Sequence, residues 1–108
     1  MDRPDLNIGV ARTPAEAVVT LAGEIDMSTV QRLSKVVGDM FASEPPPRVV
    51  LDMTEVTFCD SQGLGTLVVL SRKASMAQSA LILVNVGDFL LRVLDITGLR
   101  GALSIREA

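Results

Sequence analysis

Two short apolar stretches separated by a turn open the chain. Residues 6–10 alternate weakly between apolar and polar positions, which favours a strand at the edge of a sheet. Residues 17–21 form a run rich in β-branched side chains that ends at Gly23, and residues 13–16 have the composition of a turn. The pattern therefore predicts two strands, antiparallel to each other because the connection between them is short.

The next segment has the periodicity of an amphipathic helix. Its apolar residues are three or four positions apart and therefore share one face: Val30, Leu33, Val37, Met40 and Phe41. Either Asp26 or Ser28 is expected to cap the start of this helix, because both side chains offer an oxygen to free backbone N–H groups. The helix is expected to stop at residues 44–47, where three consecutive prolines supply no amide donor.

Strands and helices alternate through the rest of the chain. A buried strand is expected over residues 48–53, followed by a short loop and a second apolar stretch at residues 56–58. The remaining predicted elements are a helix opened by Asp60 and Ser61, a strand over residues 80–86, a helix over residues 89–97 capped by Asp88, and a short strand over residues 103–105. Alternation of this kind implies parallel pairing of the later strands. We expect a single domain over residues 1–108, with an α/β fold, a mixed sheet of four to five strands and helices packed mainly on one face.

Composition limits where the protein can act. Apolar residues make up 48% of the 108 residues and the mean hydropathy is +0.40, which favours strands buried on both faces of the sheet. The apolar runs are far shorter than the roughly 18 residues needed to span a bilayer. The charged N-terminus does not resemble a signal peptide. We therefore expect no membrane insertion and a cytoplasmic location.

Several chemistries lack the residues they need. The chain has no histidine and a single cysteine, Cys59, so zinc sites, His-dependent nucleophilic catalysis and an intramolecular disulfide are not expected. The net charge is −3 and the only aromatic residues are three phenylalanines, which argues against direct nucleic-acid binding. We expect a protein that is not an enzyme and that needs no cofactor.

The segment 60–65, Asp-Ser-Gln-Gly-Leu-Gly, is the main candidate site. It marks a junction from strand to helix, where free N–H groups and the helix dipole favour an anion near Ser61. Gly63 and Gly65 each cost about 1 kcal/mol relative to alanine inside a helix, which suggests that another backbone approaches closely here. An ordinary N-cap with glycines that serve packing gives the same spacing, so the local pattern leaves both interpretations open.

Catalytic and metal-binding interpretations of these residues have less support. A nucleophilic serine of the hydrolase type needs Gly-x-Ser-x-Gly and a histidine, and a phosphate loop needs Gly-x-x-x-x-Gly-Lys-Ser/Thr; the sequence contains neither. Asp26, Asp52 and Asp60 would bind a metal if they met at one edge of the sheet. Aspartates at the ends of strands and helices are more often caps.

Three segments in the right order carry a resemblance that covers nearly the whole chain. They are Gly-Glu-Ile-Asp at residues 23–26, Val-Leu-Asp-Met at 50–53 followed by Val-Thr-Phe-Cys-Asp-Ser-Gln-Gly-Leu-Gly at 56–65, and Val-Leu-Asp-Ile-Thr-Gly-Leu at 93–99. Together they resemble the STAS family, the sulfate transporter and anti-sigma factor antagonist domain. The resemblance implies the STAS-like form of the α/β fold. Gln62 stands where the family frequently has serine or threonine.

The resemblance implies an anti-sigma factor antagonist controlled by phosphorylation at Ser61. The unphosphorylated form would bind an anti-sigma factor that is also a serine kinase and so release the sigma factor, and the phosphorylated form would not bind. A phosphoserine phosphatase would reset the protein. The implied partner-binding residues are Asp26, Thr29, Asp60, Gln62, Gly63, Leu64 and Gly65.

Two further expectations concern assembly. Single-domain members of the family also serve as subunits of membrane transport complexes of the ABC type, which is the alternative function; Ser61 need not be phosphorylated there. A monomer or a weak homodimer is expected for this chain, because an apolar patch left exposed on the sheet would support self-association.

Overall fold

A computed structural model describes residues 5–106 as one sheet with its helices. In chain order the elements are β1 (Leu6–Arg12), β2 (Glu16–Ile25), α1 (Val30–Ala42), β3 (Arg48–Cys59), α2 (Ser61–Met76), β4 (Ala80–Val84), α3 (Asp88–Thr97), a 3₁₀ helix (Arg100–Ala102) and β5 (Ser104–Arg106). Among these residues, no helix has both the length and the apolar composition to cross a membrane.

The five strands lie in the order in which they occur along the chain, β1-β2-β3-β4-β5. β1 pairs antiparallel with β2, and the three later pairs are all parallel. Parallel neighbours need a crossover, which α1, α2 and α3 provide between successive strands. The predicted α/β fold with a mixed sheet is confirmed.

The core lies on one face of the sheet. Alternate residues of β2 and β3 are buried there with apolar side chains from all three helices; the strand members are Ala17, Val19, Leu21, Val49, Leu51 and Met53. On the opposite face Thr20 is exposed, and Val50 and Asp52 are half-buried. Ile82 of β4 is buried on that face, at 5% exposure. The expectation of strands buried on both faces therefore holds for β4 and is wrong for β2 and β3, while the helices pack on one face as predicted. Partly exposed valines on the open face raise the hydropathy without a second layer above them.

The two central strands are longer than the sequence pattern predicts. β2 does not end at Gly23 but continues to Ile25, and β3 is continuous where a loop was expected before residues 56–58. The ladder between the two strands absorbs this irregular stretch by two register shifts. Gly23 has φ +123°, and a side chain there would meet the backbone of Asp5, so only glycine fits this part of the strand.

Other boundaries move by one to three residues. α1 begins at Val30 with Thr29 at the N-cap position, so neither Asp26 nor Ser28 is its cap. β4 ends at Val84, two residues early, because Asn85 turns the chain with φ +58°. For α3 the N-cap position belongs to Gly87, and the predicted cap Asp88 lies inside the first turn. The last strand covers residues 104–106 instead of 103–105.

Candidate functional site

The carboxylate of Asp60 joins two loops at one end of the sheet. β2 and β3 end side by side, with Ile25 opposite Cys59, and the Asp60 N–H extends this pairing by donating to the Ile25 carbonyl at 3.1 Å. One carboxylate oxygen of Asp60 caps α2 by accepting from the Gly63 N–H at 2.8 Å. The other accepts from the Met27 N–H in the loop before α1 at 3.2 Å. The starts of α1 and α2 are thus tied to each other through one side chain.

Ser61 follows immediately as the first residue of α2, and it is exposed. Because Asp60 supplies the capping oxygen, the cap of this helix does not require the Ser61 hydroxyl. The hydroxyl lies at the positive end of the helix dipole, where an anionic group is stabilised. The sequence left open whether this junction is an ordinary N-cap or a functional site. The structure assigns the capping role to Asp60, so Ser61 has no capping role.

An open groove between α1 and α2 begins at Ser61. Its volume is about 440 Å³, and it is lined by small and polar residues together with one exposed valine: Ser34, Ser61, Gln62, Gly65, Thr66 and Val69. The Thr66 hydroxyl donates back to the Gln62 carbonyl within the helix. The groove is therefore open and accessible, which suits contact with another protein better than enclosure of a small molecule.

Asp26 and Thr29 shape the loop that Asp60 holds. One oxygen of Asp26 accepts from both the N–H and the hydroxyl of Ser28, at 2.9 and 2.7 Å. Thr29 is 1% exposed, and its hydroxyl donates to the Glu24 carbonyl at 2.8 Å and accepts from the Asp26 N–H at 3.0 Å. The half-buried Asp26 can meet a partner, whereas Thr29 is a buried support of the loop.

The other predicted partner-binding residues divide between surface and interior. Gln62 and Gly65 are exposed on the first turns of α2, and a side chain at Gly65 would meet no atom within 4 Å. Gly63 and Leu64 are buried. A side chain at Gly63 would lie 2.5 Å from the Ile25 carbonyl oxygen, so this glycine permits α2 to pack on the end of β2. Of these two glycines, only Gly63 is required by the packing inside the domain.

Met27 lies next to these residues and was not among the predicted site residues. Its side chain is 72% exposed between Asp26 and Ser28, directly beside the loop contact made by Asp60. A large apolar side chain left this exposed is typical of protein contact surfaces, where methionine is frequent. The sequence offers one sign that Met27 is exposed: it lies outside the apolar periodicity that places residues in the core of α1.

Cys59 is an inert neighbour of the site. Burial raises the pKa of its thiol to about 12, and the negative charge of Asp60 acts in the same direction. The thiol therefore stays protonated at neutral pH and is a poor nucleophile. Its side chain packs against the start of α2, close to Gly63.

The three aspartates considered as metal ligands do not meet. Asp52 lies on the open face of the sheet, where one oxygen accepts from the Thr54 hydroxyl at 2.6 Å and from the Asn85 amide at 3.2 Å. Asp26 and Asp60 lie at the ends of β2 and β3 instead. Within residues 5–106 no group of three or more acidic, cysteine or histidine side chains has the arrangement of a metal site.

Hydrogen bonds from Ser28, first from its side chain and then from its backbone, lower the pKa of Asp26 below its ordinary value. Because the folded-state pKa is lowered, the stabilisation from this carboxylate is present above the unfolded-state pKa and is lost as the pH falls through the folded-state pKa. We expect Ser28→Ala to raise the pKa of Asp26 toward its ordinary value in an NMR titration.

Thr54→Ala is the matched control for that titration. It removes the main hydrogen bond that lowers the pKa of Asp52, so the pKa of Asp52 should rise while that of Asp26 stays constant. An Asp26 pKa that is identical in the wild type and in Ser28→Ala would contradict the assignment of its cause.

The fold and the site together define a small mixed-sheet module that presents the tied starts of two helices as a polar surface. A family model described as "Mlab, STAS domain" matches residues 8–106. The chain belongs to the STAS domain family, and the resemblance found in its three sequence segments is confirmed.

Comparisons with individual proteins agree with this membership. The chain is 32% identical over 89 residues to the anti-sigma-B factor antagonist of Listeria monocytogenes, covering 82% of this chain and 77% of that protein. The structure of an anti-sigma factor antagonist from Mycobacterium paratuberculosis matches with a TM-score of 0.80 and 29% identity, over 94% of this chain and 85% of the other. Unphosphorylated SpoIIAA, also an anti-sigma factor antagonist, matches with a TM-score of 0.76 over 94% and 89% of the two chains; at 17% identity the likeness is one of fold.

Proposed function

We propose that this protein is an anti-sigma factor antagonist controlled by phosphorylation at Ser61. The unphosphorylated form binds an anti-sigma factor that is also a serine kinase, and the sigma factor is released. The observation that carries the proposal is the exposed Ser61 hydroxyl at the start of α2, beside an Asp60 that already caps the helix. The names of the related antagonists support the same function.

The proposed docking surface combines the exposed residues of the site. It consists of Ser61, Gln62 and Gly65 on α2, the half-buried carboxylates of Asp26 and Asp60, and the side chain of Met27. Thr29, Gly63 and Leu64 act beneath this surface by holding its two loops in place. Hydrogen bonds fix the backbone here, so the partner meets a surface that is already formed.

In the proposed phosphorylation the Ser61 oxygen attacks the γ-phosphorus of ATP held by the kinase. The new O–P bond replaces the bond to ADP, which leaves, and the hydroxyl proton passes to a base of the kinase. This chain supplies only the acceptor oxygen, so it acts as a substrate and a binding protein, not as a catalyst. A phosphatase reverses the step by delivering water to the phosphorus. The cycle takes place in the cytoplasm, where sigma factors work.

The added phosphate acts through charge. It brings about −1.5 to −2 charges and three acceptor oxygens to a surface that already holds Asp26 and Asp60. The dipole of α2 stabilises that charge in the free protein, whereas docking would remove its water. The phosphate therefore opposes binding without any need to refold the domain.

Incubation with the purified kinase and ATP, followed by peptide mass spectrometry, tests the proposal. We expect one phosphate, on Ser61, and none in Ser61→Ala. Ser75→Ala is the matched control, because it removes an exposed hydroxyl at the far end of the same helix and should leave Ser61 phosphorylated normally. Phosphorylation of Ser61→Ala at the wild-type level would refute the assignment of the acceptor. Stable co-purification of a transporter ATPase in place of a soluble kinase would favour the transport-complex function.

A further inference from the structure

The side chain of Asp60 accepts two hydrogen bonds, and only one of them belongs to the cap of α2. One carboxylate oxygen accepts from the Gly63 N–H at 2.8 Å and caps the helix. Asparagine and serine cap a helix as well as aspartate does, because each offers one side-chain oxygen to the first turn. The other oxygen of Asp60 accepts from the Met27 N–H at 3.2 Å. This second acceptor is what a carboxylate adds at this position.

The backbone of Asp60 is fixed on both sides. Its N–H donates to the Ile25 carbonyl at 3.1 Å, and its carbonyl accepts from the Leu64 N–H at 2.9 Å. Ile25 is the last residue of β2, and Leu64 lies in the first turn of α2. The carboxylate therefore projects from a rigid junction, and a group that it holds has a fixed position relative to Ser61.

The loop before α1 is otherwise closed on itself. Four of the N–H groups of residues 26–30 donate to acceptors within the same segment: that of Asp26 to the Thr29 hydroxyl, that of Ser28 to the Asp26 carboxylate, and those of Thr29 and Val30 to the Asp26 carbonyl. The N–H of Met27 donates outside the segment, to Asp60. The internal bonds set the shape of the loop, and the bond from Met27 sets where the tip of the loop lies relative to α2.

Residues of the proposed docking surface lie on both sides of this bond. The loop side carries the exposed Met27 and the half-buried Asp26, and the helix side carries the exposed Ser61 and Gln62. A partner that touches both sides must meet them at one spacing. Without the bond each side would keep its own fold, but their spacing would vary. The partner would then have to order the loop on binding, which lowers affinity.

We propose that Asp60 is a positioning residue for the anti-sigma factor. It holds the loop before α1 at a fixed place beside Ser61, and most of its contribution to binding is made through that loop. Both of its carboxylate oxygens already accept from backbone N–H groups of this chain, so a direct contact with the partner is the smaller part of its role. This inference rests on the proposed function, because it states how the same surface is prepared for its partner.

Asp60→Asn separates the two hydrogen bonds in the free protein. The amide keeps one oxygen for the cap and replaces the other by an NH₂ group, which cannot accept from the Met27 N–H. In hydrogen exchange followed by NMR, the Met27 amide should exchange about tenfold faster, whereas the Gly63 amide and the urea midpoint should stay close to the wild type. Asp60→Ser is the second variant, because its single oxygen caps the helix and leaves no acceptor for Met27.

Binding should follow the position of the loop. In isothermal titration calorimetry without ATP, Asp60→Asn should bind the purified anti-sigma factor about tenfold more weakly, the loss typical of one hydrogen bond to a charged group. Asp52→Asn is the matched control, because this aspartate also accepts from two partners, Thr54 and Asn85, but lies on the open face of the sheet. It should change neither the exchange of the Met27 amide nor the affinity.

A double-variant cycle tests whether Asp60 acts through the loop. Met27→Ala removes the exposed side chain and keeps the backbone N–H that Asp60 holds. In this background Asp60→Asn should weaken binding only about threefold or less, because much of what the hydrogen bond positions is already gone. A tenfold loss that persists in the Met27→Ala background would show that Asp60 acts by meeting the partner itself, and it would overturn the proposal.

Two other results would also overturn it. One is exchange of the Met27 amide that is unchanged in both Asp60→Asn and Asp60→Ser, and the other is unchanged affinity in a variant whose Met27 amide exchanges faster. Failure of the proposed function would look different, because the wild-type chain itself would not bind the anti-sigma factor. That result would refute the function and this inference together, whatever the exchange rates of the free protein.

Discussion

Phosphorylated protein is expected to bind the anti-sigma factor about a hundredfold more weakly than unphosphorylated protein, or weaker still. Removing water from a charged group at an interface costs several kcal/mol, and each step of about 1.4 kcal/mol is a factor of ten in affinity. At Ser61 the penalty is increased by the neighbouring carboxylates of Asp60 and Asp26. Isothermal titration calorimetry with the two purified forms measures the ratio directly.

Controls separate this effect from damage to the fold. Ser61→Ala should bind in the presence of ATP without losing affinity over time, because it cannot be phosphorylated. Ser61→Glu should bind poorly, whereas Ser75→Glu, on an exposed position at the far end of the same helix, should bind like the wild type. The thermal midpoint of the phosphorylated form should not fall, since the charge lies at the start of α2. Equal affinities of the two forms would contradict the proposed switch.

Gly63→Ala is expected to lower the free energy of unfolding by about 2 kcal/mol or more, because overpacking a close-packed site forces the backbone to move. The added methyl group would lie 2.5 Å from the Ile25 carbonyl oxygen and 2.8 Å from the Cys59 sulfur. Such a shift would also disturb the hydrogen bond from the Gly63 N–H to Asp60. Urea unfolding followed by circular dichroism gives the value.

Gly65→Ala is the matched control two residues along the same helix. Its added methyl group meets no atom within 4 Å, so the substitution should stabilise the protein by up to about 1 kcal/mol through helix propensity alone. Because Gly65 lies on the proposed docking surface, the same variant should bind the anti-sigma factor more weakly despite its higher stability. A loss of stability in Gly65→Ala comparable to that in Gly63→Ala would refute the difference in packing.

Sequence patterns predicted the order and type of the elements better than the details of the site. The spacing that identified α1 and the Asp-Ser pair that identified the start of α2 depend on local chemistry, so both could be found in the sequence. The cap of α1 could not, because Asp26 uses its carboxylate within its own turn and Thr29 turns its hydroxyl toward the strand. No side-chain oxygen caps α1, because the packing of the loop commits the oxygens of Asp26 and Thr29 to other partners.

Tertiary contacts explain the errors in the strands as well. Residues 54–55 are polar and look like a loop, but pairing with β2 holds them in an extended conformation through the register shifts near Gly23. The bond from Met27 N–H to Asp60 joins residues 33 positions apart, and no local pattern contains it. The family resemblance located Ser61, whereas the division of its neighbours into exposed and buried residues required the three-dimensional arrangement.

The bridge formed by Asp60 has a consequence for how quickly the proposed switch responds. Because one carboxylate already holds the loop before α1 against the start of α2, the free protein has no ordering step to complete before it meets its partner. Association of such preformed surfaces typically proceeds at about 10⁵–10⁷ M⁻¹s⁻¹. The delay between a signal and the release of the sigma factor is then set by the rates of the kinase and the phosphatase. Once the phosphorylated fraction of this chain changes, its binding to the anti-sigma factor changes without a further slow step.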